Sequence, residues 1–110
     1  MKLLDALRAL PNRPRRVTVR ELWLQHERWL GRRVATRGVV GSFEAGTRRE
    51  YFVLDNGPDR IGLRGDPAQL RALVARPVRA AGTLTFERGR GIFLVADEVR
   101  AGGRGPRAEG

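Results

Sequence analysis

Arginine and one tyrosine carry the chemistry that this chain offers most plainly. Across residues 49–65, REYFVLDNGPDRIGLRG, the cations Arg49, Arg60 and Arg64 bracket strand-forming runs that contain Tyr51. Two further clusters fall where apolar runs stop: Arg48 and Arg49 in EAGTRR, and Arg88 and Arg90 in ERGRG. A guanidinium is a planar fork of donors that grips phosphate through two hydrogen bonds and also stacks on rings. A tyrosine face can take a stacked base, worth roughly 1–3 kcal/mol. Side by side, these residue types would hold a phosphate chain bearing flat rings.

Other chemistries lack their residues. The chain has no cysteine, which excludes disulfides, thiol nucleophiles and thiolate-bound zinc. His26 is the sole histidine and has no clustered carboxylates, so no metal is expected there. Asp55 and Asp59 in DNGPD are spaced like part of a calcium loop, but the distal glutamate and further oxygen ligands are absent. The stretch reads as a turn. Ser42 is the only serine and has no histidine near it in sequence. No phosphate-binding G-x-x-x-x-G-K-[ST] loop occurs. No enzymatic activity, cofactor or metal is therefore expected.

The charge balance agrees with an anionic partner. The 110 residues carry a formal net charge of +10, and Lys2 is the one lysine among 22 basic residues. Such a balance favours nucleic acid, acidic lipid or an acidic protein. Arginine with abundant alanine, glycine and leucine is also what a GC-rich genome writes, so the positions of the charges matter more than their number. No apolar run approaches the roughly 20 residues of a membrane span. The opening MKLLDALRAL is interrupted by Asp5 and Arg8 and lacks a small-residue cleavage site, so it does not read as a signal peptide. The absence of cysteine fits a reducing cytoplasm, where the chain is expected to work.

The elements that must position the arginines follow from periodicity. Leu3, Leu4, Leu7 and Leu10 form a short helical stripe, and the basic linker PNRPRR ends it. Residues 1–16 are thus a helix and linker ahead of the domain at 17–100. Thr18 and Glu21 form a capping box. The helix that follows carries Val19, Leu22, Trp23, His26 and Leu30 along one face and stops near Gly31. On this stripe Trp23 is a core residue, His26 lies at the core edge, and Trp29 falls off the stripe, half exposed against the rim. Strands are expected at 32–43, 48–55, 59–65, 77–87 and 92–100. Between the third and fourth, Asp66 caps a helix at 66–75 with Pro67 in its first turn. Residues 101–110, AGGRGPRAEG, are expected to be a disordered Gly/Arg tail resembling a short RGG segment.

The order β-β-β-α-β-β predicts a mainly β domain, a five-stranded Greek-key barrel preceded by one or two short helices; an α+β sandwich of the same order is the alternative. Gly31, Val34, Gly38 and Val40 in the first strand, then Leu54, Asp55 and Gly57, then Val78 and Gly82, resemble the OB-fold in its single-stranded nucleic-acid-binding branch, as in replication protein A-like and anticodon-binding-like domains. The resemblance spans residues 31–100 and specifies architecture more than activity. It implies a ligand face on the second and third strands, flanked by the loops between strands one and two and between strands four and five.

Strand alternation then sorts the side chains. With Phe52, Leu54, Ile61 and Leu63 inward, Tyr51, Val53, Arg60 and Arg64 point outward, together with Arg49. With Val34, Thr36, Gly38 and Val40 inward on the first strand, Arg37 points out. The expected binding surface is therefore Arg37, Arg48, Arg49, Tyr51, Arg60, Arg64, Arg88 and Arg90. Phe43 and Phe93 are assigned to the core, which leaves Tyr51 as the one clear platform. These residues point to a non-catalytic module whose binding of single-stranded DNA or RNA is salt-sensitive and weakly sequence-selective. The alternative is a protein-interaction module, or a subunit of a replication, repair or translation assembly, whose N-terminal helices meet a protein partner.

Overall fold

The computed structural model describes residues 13–102. The leucine-striped helix expected at 1–10 and the tail from residue 103 lie outside the described residues. The order is β1 (Arg15–Arg16), α1 (Val19–Leu24), α2 (His26–Trp29), β2 (Arg33–Phe43), β3 (Tyr51–Asn56), β4 (Asp59–Arg64), α3 (Pro67–Ala72), β5 (Pro77–Glu87) and β6 (Gly91–Ala101). The domain is mainly β, with a few short helices. One six-stranded sheet runs β1-β2-β3-β4-β6-β5, and β5 also pairs with β2.

Strand β2 changes partner along its length. Arg33 to Val39 pair antiparallel with β5, and Val39 to Phe43 pair antiparallel with β3. Gly38 sits beside the change. A Cβ there would come 2.6 Å from the Asp55 carbonyl oxygen, so a side chain has no room. Strands β3 and β4 form a hairpin through the Asn56–Asp59 pair, and β4 runs parallel to β6. This arrangement brings β3, β4 and β6 side by side on one outward face.

The inner face carries the core. Val34, Val40, Leu54, Ile61, Leu84 and Leu94 are all buried within it. Helix α3 closes it from below. Asp66 accepts a hydrogen bond from the Ala68 N–H at 3.2 Å, Pro67 begins the helix, and Leu70 inserts into the cluster. The helix ends at Ala72, shorter than the run expected to Ala75. The chain then returns to the sheet through the Ala75 N–H, which donates to the Val40 carbonyl at 2.7 Å.

Two expectations about the N-terminal part are corrected. The basic linker is not wholly irregular, because Arg15 and Arg16 pair parallel with Val34 and Ala35. Val17 is buried and its N–H donates to the Ala35 carbonyl at 2.9 Å, which lays the preceding arginines along β2. A sixth strand thus joins the five expected. The second correction concerns the helix after Thr18. Its cap forms as expected, with the Thr18 Oγ1 accepting from the Glu21 N–H at 3.0 Å. The helix then breaks at Gln25, whose φ of −126° and ψ of 36° are not helical. The break resets the phase of the buried face. Trp29 becomes 4% exposed and Trp23 46% exposed, the reverse of the single-helix expectation. The boundary with the tail also moves, since Ala101 belongs to β6.

Candidate functional site

The outward face of β3, β4 and β6 is built by alternation and register together. Tyr51 is half exposed at the start of β3, while Phe52 and Leu54 face the core. Phe43, the last residue of β2, pairs directly with Tyr51. Their rings stack with centroids 4.9 Å apart and planes 15° apart. The Arg60 guanidinium carbon lies 5.0 Å from the Phe43 ring centroid. One strand further, Gly62 pairs with Phe93. A Cβ at 62 would stand 2.8 Å from the Phe93 Cβ, so the bare glycine makes room for that side chain. The Arg64 guanidinium then lies over the Phe93 ring, 3.9 Å from its centroid.

Phe43 is only partly buried and lies outside the core to which its sequence context assigned it, whereas Phe93 is buried at 6% exposure as expected, but beneath Arg64 on the outer side of the sheet and not in the inner cluster. β6 reads as an unbroken apolar run, IFLVA, because Phe93 is covered on the outer side by arginine while Leu94 is covered by the core. Val53 is likewise buried although it lies on the outward side of β3, where it faces Gly41 and Gly62. Aromatic residues are more plentiful on this face than sequence alone indicates.

A groove of about 780 Å³ runs along this face. Arg48, Arg49, Arg60, Arg64 and Arg90 line it, together with Tyr51, Phe93 and, from α1, Trp23. Trp23 is the residue that sequence reasoning missed. Its indole Nε1–H donates to the Arg60 carbonyl oxygen, which ties α1 to the edge of β4. The helix break at Gln25 that exposes it has no glycine or proline to announce it.

The groove is cationic but partly compensated. Arg60 is held by Asp55, with Nε 2.5 Å from Oδ1. That bond raises the Arg60 pKa further above its ordinary value. Glu87 accepts from Arg64 at 2.7 Å and pairs with Arg90 at 3.3 Å. Glu50, just before β3, is bound by Arg71 of α3 at 2.9 Å, and this bond lowers its pKa. Arg48, Arg49 and Arg88 are exposed and make no ion pair among the described residues. Asp55 and Glu87 thus hold three of the five groove arginines in place, while Arg48 and Arg49 stand at the rim without an ion pair among the described residues.

The structure gathers six of the eight expected residues: Arg48, Arg49, Tyr51, Arg60, Arg64 and Arg90. Arg88 lies on the β5–β6 turn outside the groove lining. Arg37 does not share this surface. It lines a separate groove with Arg16, Arg20 and Arg79, because the bend in β2 turns its first half toward β5. Among the described residues no group of three or more acidic or histidine side chains could hold a metal ion. No described helix is long and apolar enough to cross a membrane.

Comparison with protein families and with curated proteins gives no match. Among solved structures, the chain is similar to one described as an aspartyl-tRNA synthetase from Leishmania major Friedlin, with 15% identity and a TM-score of 0.59. The similarity covers 80% of this chain and 20% of the other. At this identity the likeness concerns the fold, and this domain corresponds to about a fifth of that larger chain.

Proposed function

We propose that this chain is a non-catalytic OB-type module that binds single-stranded nucleic acid, its five long strands forming the Greek-key barrel. The observation that carries the reading is the outer face of β3, β4 and β6. There Tyr51, backed by the stacked Phe43, and Phe93, buried beneath Arg64, lie along a groove edged by five arginines. Phosphates pair with Arg48 and Arg49 at the rim, and bases stack on the ring system inside. Ring stacking and phosphate contact read no base edge, so binding is salt-sensitive and weakly sequence-selective. The similar solved chain is named for a transfer RNA, which makes RNA a ligand to test alongside DNA. A reducing cytoplasm suits a chain without cysteine.

A titration of labelled single strands, DNA and RNA, at several salt concentrations tests this. With about four phosphates neutralised, log affinity falls against log salt with a slope near −3, taking about −0.7 per phosphate. Absence of binding at low salt ends the proposal, and equal affinity for duplex removes the single-strand preference.

A protein-interaction role is the second reading. It is favoured by Leu24, which is 72% exposed on α1 next to Trp23. A Leu24→Asp variant that loses a protein partner while keeping strand binding would support it.

A further inference from the structure

We propose that a bound strand does not end at the β3–β4 hairpin but continues past it into a second groove that contacts only phosphates. This inference rests on the single-strand reading above and extends its footprint. The second groove, of about 540 Å³, lies where the first half of β2 meets β1 and the start of α1. Arg16, Arg20, Arg37 and Arg79 line it against Glu21 and Asp59. No aromatic residue does, so it offers charge and no stacking surface.

Two observations favour an anion here. The first is register. Arg37 of β2 lies directly opposite Arg79 of β5, and Arg79 lies directly opposite Arg100 of β6. All three are exposed. Like charges directly opposite on adjacent strands repel and destabilise a sheet. Arg79 stands in the middle of this row and makes no ion pair among the described residues, so it is the member that phosphate oxygens would pair. Arg100 is steadied by Glu98 at 2.6 Å, while Arg16, Arg20 and Arg79 make no ion pair among the described residues.

The second observation is continuity. The β3–β4 hairpin contributes residues to both grooves. Arg60 lines the first groove and its neighbour Asp59 lines the second. Asn56 also lines the second groove, and its side-chain amide donates to the Arg37 carbonyl at 3.1 Å. A strand leaving Arg60 thus meets Arg37, Arg16 and Arg79 next. A charged groove without rings suits the sugar-phosphate backbone of the same strand, held without regard to sequence.

The test compares fluorescently end-labelled oligothymidylates of roughly 6 and roughly 16 nucleotides, lengths within the range for one such domain. Each is titrated over a salt series by anisotropy with wild type and with the Arg16→Ser, Arg79→Ser double variant. The wild type is expected to show a steeper salt slope with the longer strand. The double variant should lower that slope by about 1.4, two phosphates at about 0.7 each, and leave the short strand unchanged. An Arg79→Lys variant, which keeps the charge, should retain the steep slope. Both substituted side chains are exposed, and circular dichroism checks the fold. Equal slopes for the two lengths in wild type overturn this inference while the short-strand reading stands. An equal loss on both lengths in the double variant overturns it too. If neither length binds, the single-strand reading and this extension fall together.

Discussion

The Arg64 guanidinium lies over the Phe93 ring, 3.9 Å from its centroid, and gives a 2.7 Å hydrogen bond to Glu87. The ring fixes its plane and the carboxylate fixes its edge. Glu87 also pairs with Arg90, so one carboxylate holds two groove arginines. A phosphate approaching this end must compete with it. Glu87→Gln keeps the shape and removes the competing charge. The expected outcome is a few-fold tighter binding of a single strand at low salt, measured by anisotropy. Weaker binding would mean that the carboxylate positions the arginines more than it competes.

Stacking and charge are separable at the other end of the groove. Tyr51→Ala removes one stacking face, a loss of roughly 1–3 kcal/mol, with little change in salt slope. Arg49→Ala removes one rim cation and should lower the slope by about 0.7. Salt-dependent titrations of the two variants are expected to show these opposite signatures. The same slope change in both would contradict the division of labour.

The two tryptophans provide an internal reporter. Trp23 is exposed on the groove wall, whereas Trp29 is buried in the core cluster. Single-strand binding should quench the intrinsic fluorescence through Trp23. Trp29→Phe should keep that response and Trp23→Phe should abolish it. Quenching that survives Trp23→Phe would place the ligand elsewhere.

Much of this face is legible in the sequence, and the limits have physical causes. Alternation along YFVLD assigns Phe52 and Leu54 inward and Tyr51 outward because a turn bounds the strand on one side. The same alternation fails to identify Phe93, since Ile92, Phe93 and Leu94 are all buried and the start of β6 reads apolar on both sides. Phe43 is a matter of register: only its pairing with Tyr51 shows that the two rings share a face. Trp23 and Trp29 exchange roles because the chain leaves helical geometry at Gln25, which carries no breaker residue. Arg37 departs from the expected surface because β2 bends at Gly38, a feature whose presence the glycines announce but whose direction they do not. The two-residue β1 is too short to show a period.

Acid should loosen the fold through two carboxylates. A hydrogen bond from Arg71 lowers the Glu50 pKa, and one from Arg33 lowers that of Asp97. Each is protonated less readily folded than unfolded, so its contribution is present above the ordinary carboxylate range, about pH 4, and is lost as pH falls below it. Both pairs lie near the surface and their effect is modest. Thermal melts from pH 7 to pH 3 should show stability falling below about pH 4. A Glu50→Gln, Asp97→Asn variant should start less stable and fall less steeply. A parallel fall in both proteins would show that other groups govern the acid limb.

The most direct test of the central claim is an NMR shift map of the labelled chain with a short single strand. The largest changes are expected at Tyr51, Arg60, Gly62, Arg64 and Phe93, with the Phe43 ring responding alongside Tyr51. Shifts confined to Leu24 and the exposed end of α1, or no shifts at low salt, would contradict it.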